Sequence, residues 1–264
     1  TTQDADYRSR RITDYLNLVN DIVQQQVENV RQSVFETGSE LVKYFEMLPA
    51  DSYLRQLYVK MITTSDEAEK NKLQQNLRNQ VKPGNIDVNI MTKIDRDQFT
   101  KEGQLIENGS DAITALRGFA DSKLVNASVI FSAGMNPRLY NYLATCPAFE
   151  VNEDGEFTKK VIIKVSDYRS ALIQGKYLAK KGIWVSEFRI ESGLNCGGHA
   201  FATEGHLMGP ILEEFKMKKE ELTDTLFELY NAALFQKASK QFKYPPSIRI
   251  SAQGGIGTFE ENEL

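Results

Sequence analysis

KKVIIKVSDYRSALIQGKYLAKKGIWVSEFRIES, residues 159–192, is the stretch that predicts the fold class. Its first part, residues 159–167, is a short apolar run that is typical of a buried strand. The helix-forming segment that follows ends at Gly182, where a helix C-terminus favours glycine. A second apolar run, residues 183–192, completes a strand–helix–strand unit. Such a unit predicts two parallel strands joined by a helical crossover.

The same alternation continues on both sides of this unit. Three further strand candidates are separated from it by helix-forming segments: residues 86–94, 127–134 and 247–255. Before them, ITDYLNLVNDIVQQQVENV has apolar residues at spacings of three and four, which indicates an amphipathic helix. The sequence KPGN at 82–85 then ends the helical texture with a turn signal. We therefore expect a helical segment over residues 1–82 and an α/β portion over residues 83–264.

Composition excludes several classes of protein. The chain has 264 residues, 41% of them hydrophobic, which is enough to bury a core. Its net charge of −4 indicates no basic surface for nucleic acid or an anionic membrane. No run reaches the roughly 18–20 apolar residues of a membrane span. Cys146 and Cys196 occur in unrelated contexts and predict no disulfide framework, which favours the cytoplasm. Because the chain begins without Met, we expect it to be part of a longer polypeptide.

Two glycine pairs follow successive strand candidates. SGLNCGGHAFATEGH, residues 192–206, contains both histidines of the chain, and SAQGGIGTFEE begins at residue 251. In parallel α/β folds, ligands bind beyond the carboxyl ends of the strands. A Gly-Gly pair there lets backbone N–H groups approach an anion without an intervening Cβ. The two turns together predict a site that binds a phosphate from two sides.

These residues carry a resemblance to a known family. SEFRIESGLNCGGHA resembles the sixth strand of nitronate monooxygenases and related FMN-dependent enoyl reductases, where a hydrophobic strand runs into Gly-x-x-Ala-Gly-Gly-His. ISAQGGIGT resembles the next strand of that family, which ends in Ala-Ala-Gly-Gly-Ile, and IDVNIM is similar to its third strand. The resemblance covers about residues 83–258. Cys196 and Asn195 depart from the family pattern, and its first, second and eighth strands have no counterpart here.

The resemblance implies a parallel (β/α)8 barrel of the TIM type, present in part in this chain, that binds FMN. The activity implied is oxidation or reduction of a small organic or acyl substrate. His199 would serve as acid/base or orient the substrate beside the flavin, since an imidazole pKa near neutrality allows proton transfer in either direction. The residues implied to bind the cofactor are Asn89, Gly197, Gly198, Gly254, Gly255 and Ile256.

Two other classes of function stay open. Cys196, His199 and His206 have a C-x2-H-x6-H spacing, which could serve a metal- or thiol-dependent hydrolase or lyase, although no fourth metal ligand is obvious. A non-catalytic barrel scaffold would need neither cofactor nor metal. As partners we expect a small-molecule substrate, and either a homo-oligomer or an additional segment of a longer chain. Lys164 alternates with apolar residues along its strand, and we expect it to face solvent.

Overall fold

A computed structural model of the chain describes residues 6–92, 95–152, 155–191 and 208–254. The chain divides into two compact units, of which one comprises Asn17–Gly84 and the other Thr1–Leu16 with Asn85–Leu264. The helices up to residue 80 are α1 (Tyr7–Gln32), α2 (Glu40–Glu46), α3 (Tyr53–Thr63) and α4 (Glu67–Gln80). No helix in the described ranges combines the length and the hydrophobicity that crossing a bilayer requires.

The smaller unit has a core of its own. Ser52 begins α3 and Asp66 begins α4, and each side chain accepts a hydrogen bond from a backbone N–H of the first turn. Phe45 and Leu77 are fully buried, and the Phe45 ring stacks on Tyr58 at 5.8 Å between centroids. Helices α2, α3 and α4 contribute buried residues to this core.

The larger unit contains a five-stranded sheet. Its strands are β1 (Ile86–Ile90), β2 (Ala127–Phe131), β3 (Lys159–Val165), β4 (Val185–Glu191) and β5 (Arg249–Gln253). The helices after β1 to β4 are α5 (Asp111–Ala120), α6 (Pro137–Leu143), α7 (Tyr168–Ala179) and α8 (Met208–Gln236). Every pair of neighbouring strands is parallel, and the order is β1-β2-β3-β4-β5. The predicted α/β class and parallel sheet are confirmed, whereas the five described strands do not close a barrel.

One face of the sheet packs against helices. Because parallel crossovers are right-handed and each strand pairs with the next in the chain, successive helices cover the same face. Phe131, Ile163 and Phe188 are fully buried in a core cluster that also contains Leu178 of α7 and Leu222 of α8. The structure also confirms the predicted end of α7, since Gly182 lies just beyond it with a φ of +74°.

The opposite face of the sheet is polar and strongly curved. Asp87 of β1 is in register with Lys160 of β3 through Ser128. Arg189 of β4 pairs with Lys164, four residues further along β3. A flat sheet would hold the Cα atoms of Asp87 and Arg189 roughly 19 Å apart, from about 4.8 Å between strands and 3.3 Å per residue. Their side chains nevertheless meet at 3.2 Å, so the strands tilt and the sheet curls around this polar face.

Lys159 is a buried cation on the helix-packed face. Its Nζ donates hydrogen bonds to the backbone carbonyl oxygens of Phe119, Ala120 and Ser122 at 3.1, 2.5 and 2.6 Å. These oxygens belong to the end of α5 and the residues after it, where the helix dipole favours a positive charge. Burial lowers the pKa of the Lys159 amine, and the negative charge of Asp121 acts in the opposite direction. The lysine therefore joins the start of β3 to the end of α5.

We expect Lys159→Met to lower the free energy of unfolding by about 1–3 kcal/mol, because it leaves buried carbonyl oxygens without a donor. Lys160→Met is the matched control. Lys160 is the next residue and points to the opposite face, and its side chain makes no hydrogen bond or ion pair with a described residue. Its effect should stay within about 0.5 kcal/mol. Urea denaturation followed by circular dichroism measures both, and equal effects would contradict the role assigned to Lys159.

Candidate functional site

The carboxyl ends of β4 and β5 lie side by side. The last register pair of the two strands is Glu191 with Gln253. The chain continues from Glu191 into the glycine-rich stretch 192–206, and from Gln253 into Gly254. Gly254 has a φ of +76°, in the left-handed region that glycine adopts most readily. The two glycine-bearing segments therefore begin on neighbouring parallel strands at one edge of the sheet.

The structure describes only part of the predicted site. Asn89 and Gly254 are within the described residues, at the ends of β1 and β5. The remaining predicted cofactor, catalytic and metal-binding positions lie outside them: Cys196, Gly197, Gly198, His199, His206, Gly255 and Ile256. The described residues thus fix where the two segments start, and the roles of these seven positions stay predictions.

Asn89 lies on the polar face near the end of β1. It is in register with Ile130 of β2, and its exposed side chain makes no hydrogen bond with another described residue. Three strands, β2 to β4, separate its position from β5. The curvature that brings Asp87 to Arg189 turns the end of β1 towards the later strands, so Asn89 is available to a ligand on the concave side.

A buried ion pair occupies the polar face where β3 and β4 end. Lys164 Nζ lies 3.0 Å from Glu191 Oε1, and the two side chains are only 16% and 8% exposed. The expectation that Lys164 faces solvent is therefore wrong. Strand alternation identified the polar face correctly, but it could not show that curvature removes this face from water. The pair places a positive and a negative charge directly before the glycine-rich segment.

Asp95 organises the long loop between β1 and α5 at the same edge. Its carboxylate, 8% exposed, accepts hydrogen bonds from the Ala112 N–H at 2.9 Å, Ser110 Oγ at 3.0 Å and Arg138 Nη2 at 2.9 Å. A longer bond of 3.4 Å comes from Asn136, the residue that begins α6. Burial alone would raise the pKa of Asp95, but these hydrogen bonds hold it below its ordinary value. Sequence reasoning missed this residue, because its partners lie 15–43 positions away in the chain.

The described residues contain neither a reactive thiol nor a metal-binding group of side chains. Burial raises the pKa of the Cys146 thiol to about 11, so at neutral pH it is a protonated, weakly reactive group. Among the described residues, no group of three His, Cys, Asp or Glu side chains is placed to hold a metal ion. Cys196, His199 and His206 lie outside the described residues, so a metal site formed by them remains a hypothesis.

We expect Asp95→Asn to lower the free energy of unfolding near neutral pH by about 1–3 kcal/mol. A carboxyl group whose pKa is lowered by folding stabilises the native state above its ordinary value of 3.8, and this contribution is lost as the pH falls below it. The difference between wild type and variant should therefore shrink below about pH 4. Asp97→Asn is the control, since Asp97 also pairs with Arg138 but is 42% exposed. Urea titrations at several pH values measure the effect, and a pH-independent difference would contradict the assignment.

Comparison with known proteins gives no relative for this chain. No family model, no curated protein and no solved structure matches it. The function is therefore argued below from the chain's own residues and from the positions that the sheet gives them.

Proposed function

We propose that this protein is an FMN-dependent oxidoreductase of the nitronate monooxygenase-like group, acting on a small organic or acyl substrate. The observation that supports the proposal best is the parallel pairing of β4 with β5 up to Glu191 and Gln253. Paired strands lie about 4.8 Å apart, so the two glycine-bearing segments begin within the span of one phosphate group and its donors. Gly254 has the positive φ that suits a turn of backbone N–H groups around an anion.

The strand order also supports a barrel-type architecture. A doubly wound sheet reverses its strand order at a switch point, where it binds nucleotides. This sheet runs from β1 to β5 without reversal, which is the order of strands in a TIM barrel. Its curvature around the polar face has the sense that barrel closure needs. We propose that the sheet is part of a (β/α)8 barrel, which this chain contains in part.

FMN is proposed to bind at the carboxyl edge of the sheet, where the glycine-bearing segments begin. Gly197, Gly198, Gly254 and Gly255 would donate backbone N–H groups to its phosphate, and Ile256 would continue that turn. Asn89 would contribute an amide from the first strand. When bound, the flavin supplies the acceptor for a hydride or for electrons. His199 would hold or move the substrate proton, since an imidazole side chain can do either near neutral pH.

The two alternative functions make different demands. A metal- or thiol-dependent hydrolase or lyase would need Cys196, His199 and His206 together, and a scaffold would need none of them. The paired glycine-bearing strand ends favour the flavin, because a metal site gains nothing from a second Gly-Gly turn on β5. The experiments below distinguish all three.

The purified protein should show a flavin absorbance spectrum, and heat should release FMN from it. Gly198→Val should reduce flavin retention at least tenfold, because a β-branched side chain would occupy the place of the phosphate. Gly84→Val is the matched control, since Gly84 has open space around it, an ordinary φ and a position in the other unit. A colourless protein that takes up no added FMN would contradict the proposal. Bound zinc, lost in Cys196→Ser, would favour the alternative.

His199→Ala should leave flavin bound while turnover falls by roughly 10²–10⁴-fold. The control is His206→Ala, which removes the other histidine of the chain and should retain most of the activity. Steady-state kinetics with alkyl nitronates, alongside the flavin spectrum of each variant, measure both effects. Equal losses in the two variants would point to a shared metal site, and full activity of His199→Ala would remove its catalytic assignment.

A further inference from the structure

A pocket of about 420 Å³ lies on the polar face, in the first halves of the strands. This is the end of the sheet opposite the glycine-bearing segments, and in a closed barrel the pocket would open at the amino-terminal mouth. All five strands contribute to its lining, which includes Asp87, Ser128, Lys160, Glu187, Arg189 and Arg249. The pocket is therefore separate from the proposed flavin site.

The two acidic side chains of the pocket are already bound. Glu187 accepts hydrogen bonds from Arg189 Nε at 2.9 Å and from Ser251 Oγ at 2.6 Å, and its carboxylate is 7% exposed. Asp87 is 3.2 Å from Arg189 Nη2. Arg189 thus forms ion pairs with both carboxylates, which leaves them few lone pairs to accept a hydrogen bond from a ligand.

Two basic side chains and a hydroxyl have unused donors. The Lys160 side chain makes no hydrogen bond or ion pair with a described residue. Within the described chain, the only ion pair of Arg249 is a long one, with 3.9 Å between its Nη1 and Glu187 Oε2. Ser128 is 2% exposed and accepts a hydrogen bond from Asn85 Nδ2 at 2.8 Å, so its own proton remains for an acceptor. The lining therefore has three basic groups against two acidic ones, and its free groups are donors.

We propose that this pocket binds a small organic phosphate, with the phosphate held by Lys160, Arg249 and the Ser128 hydroxyl. A phosphate group accepts hydrogen bonds from these donors and offsets the single excess positive charge of the lining. Bonds from charged donors are the strongest available to it. Phe157 and Ile162 supply apolar lining beside these donors. The organic part of the ligand contacts this apolar wall, which makes a phosphate monoester a better ligand than inorganic phosphate.

The test is calorimetric titration of the protein with phenyl phosphate and, separately, with inorganic phosphate, at ionic strength held constant with chloride. Phenyl phosphate should bind saturably and more tightly than inorganic phosphate. Lys160→Gln and Arg249→Gln should each weaken binding by about tenfold or more. Lys160→Arg, which keeps the charge, should restore most of the affinity. Lys219→Gln, on the exposed face of α8, is the control and should bind like wild type.

Circular dichroism of each variant establishes that it is folded. The proposal would be overturned if the wild type bound neither probe saturably, or if Lys160→Gln and Arg249→Gln bound phenyl phosphate as the wild type does. Equal affinities for the two probes would overturn the proposed apolar contact. Gly198→Val separates this pocket from the flavin site, because it should lose flavin and keep phenyl phosphate binding. If Gly198→Val loses phenyl phosphate binding while the pocket variants keep it, the probe binds at the glycine turns. That result would overturn the pocket proposal, whatever the outcome for FMN.

Discussion

Each strand of the sheet pairs in parallel with the strand that follows it in the chain, and the rest of the larger unit depends on this constraint. Right-handed crossovers between such strands direct every connecting helix to the same face. That face needs apolar side chains, and residues such as Phe131 and Phe188 provide them. On the other face, charged side chains of neighbouring and distant strands pair with one another across the curve of the sheet.

Charge pairing is the physical means by which this second face is built. Arg189 binds carboxylates of β1 and β4, and Lys164 binds Glu191 where β3 and β4 end. Bringing these charges out of water costs free energy unless the partners are close and well oriented. Their presence along the concave side therefore marks a face built for polar contacts, with the glycine-bearing strand ends at one end and a pocket with spare donors at the other.

The strand candidates of the sequence were placed well, because short apolar runs between turn signals report burial directly. The runs that begin at residues 127 and 159 match β2 and β3 at their first residue. The site was harder to predict. The local sequence predicts a glycine turn at Gly254, and its φ of +76° fits such a turn. Asp95 was missed because its hydrogen bonds come from α5 and α6. Local patterns predict turns and strands. A residue such as Asp95, which binds segments distant in the chain, cannot be recognised from the residues next to it.

The adjacent lysines 159 and 160 show what the sequence by itself determined and what it left to the tertiary structure. Alternation along a strand requires them to point to opposite faces of the sheet, and this follows from the sequence alone. Only the tertiary structure decides that the first meets the carbonyl oxygens at the end of α5, while the second lines a pocket on the concave side. The reason is that the handedness of the crossovers determines which face of the sheet the helices cover. The curvature of the sheet determines which charged side chains meet on the opposite face.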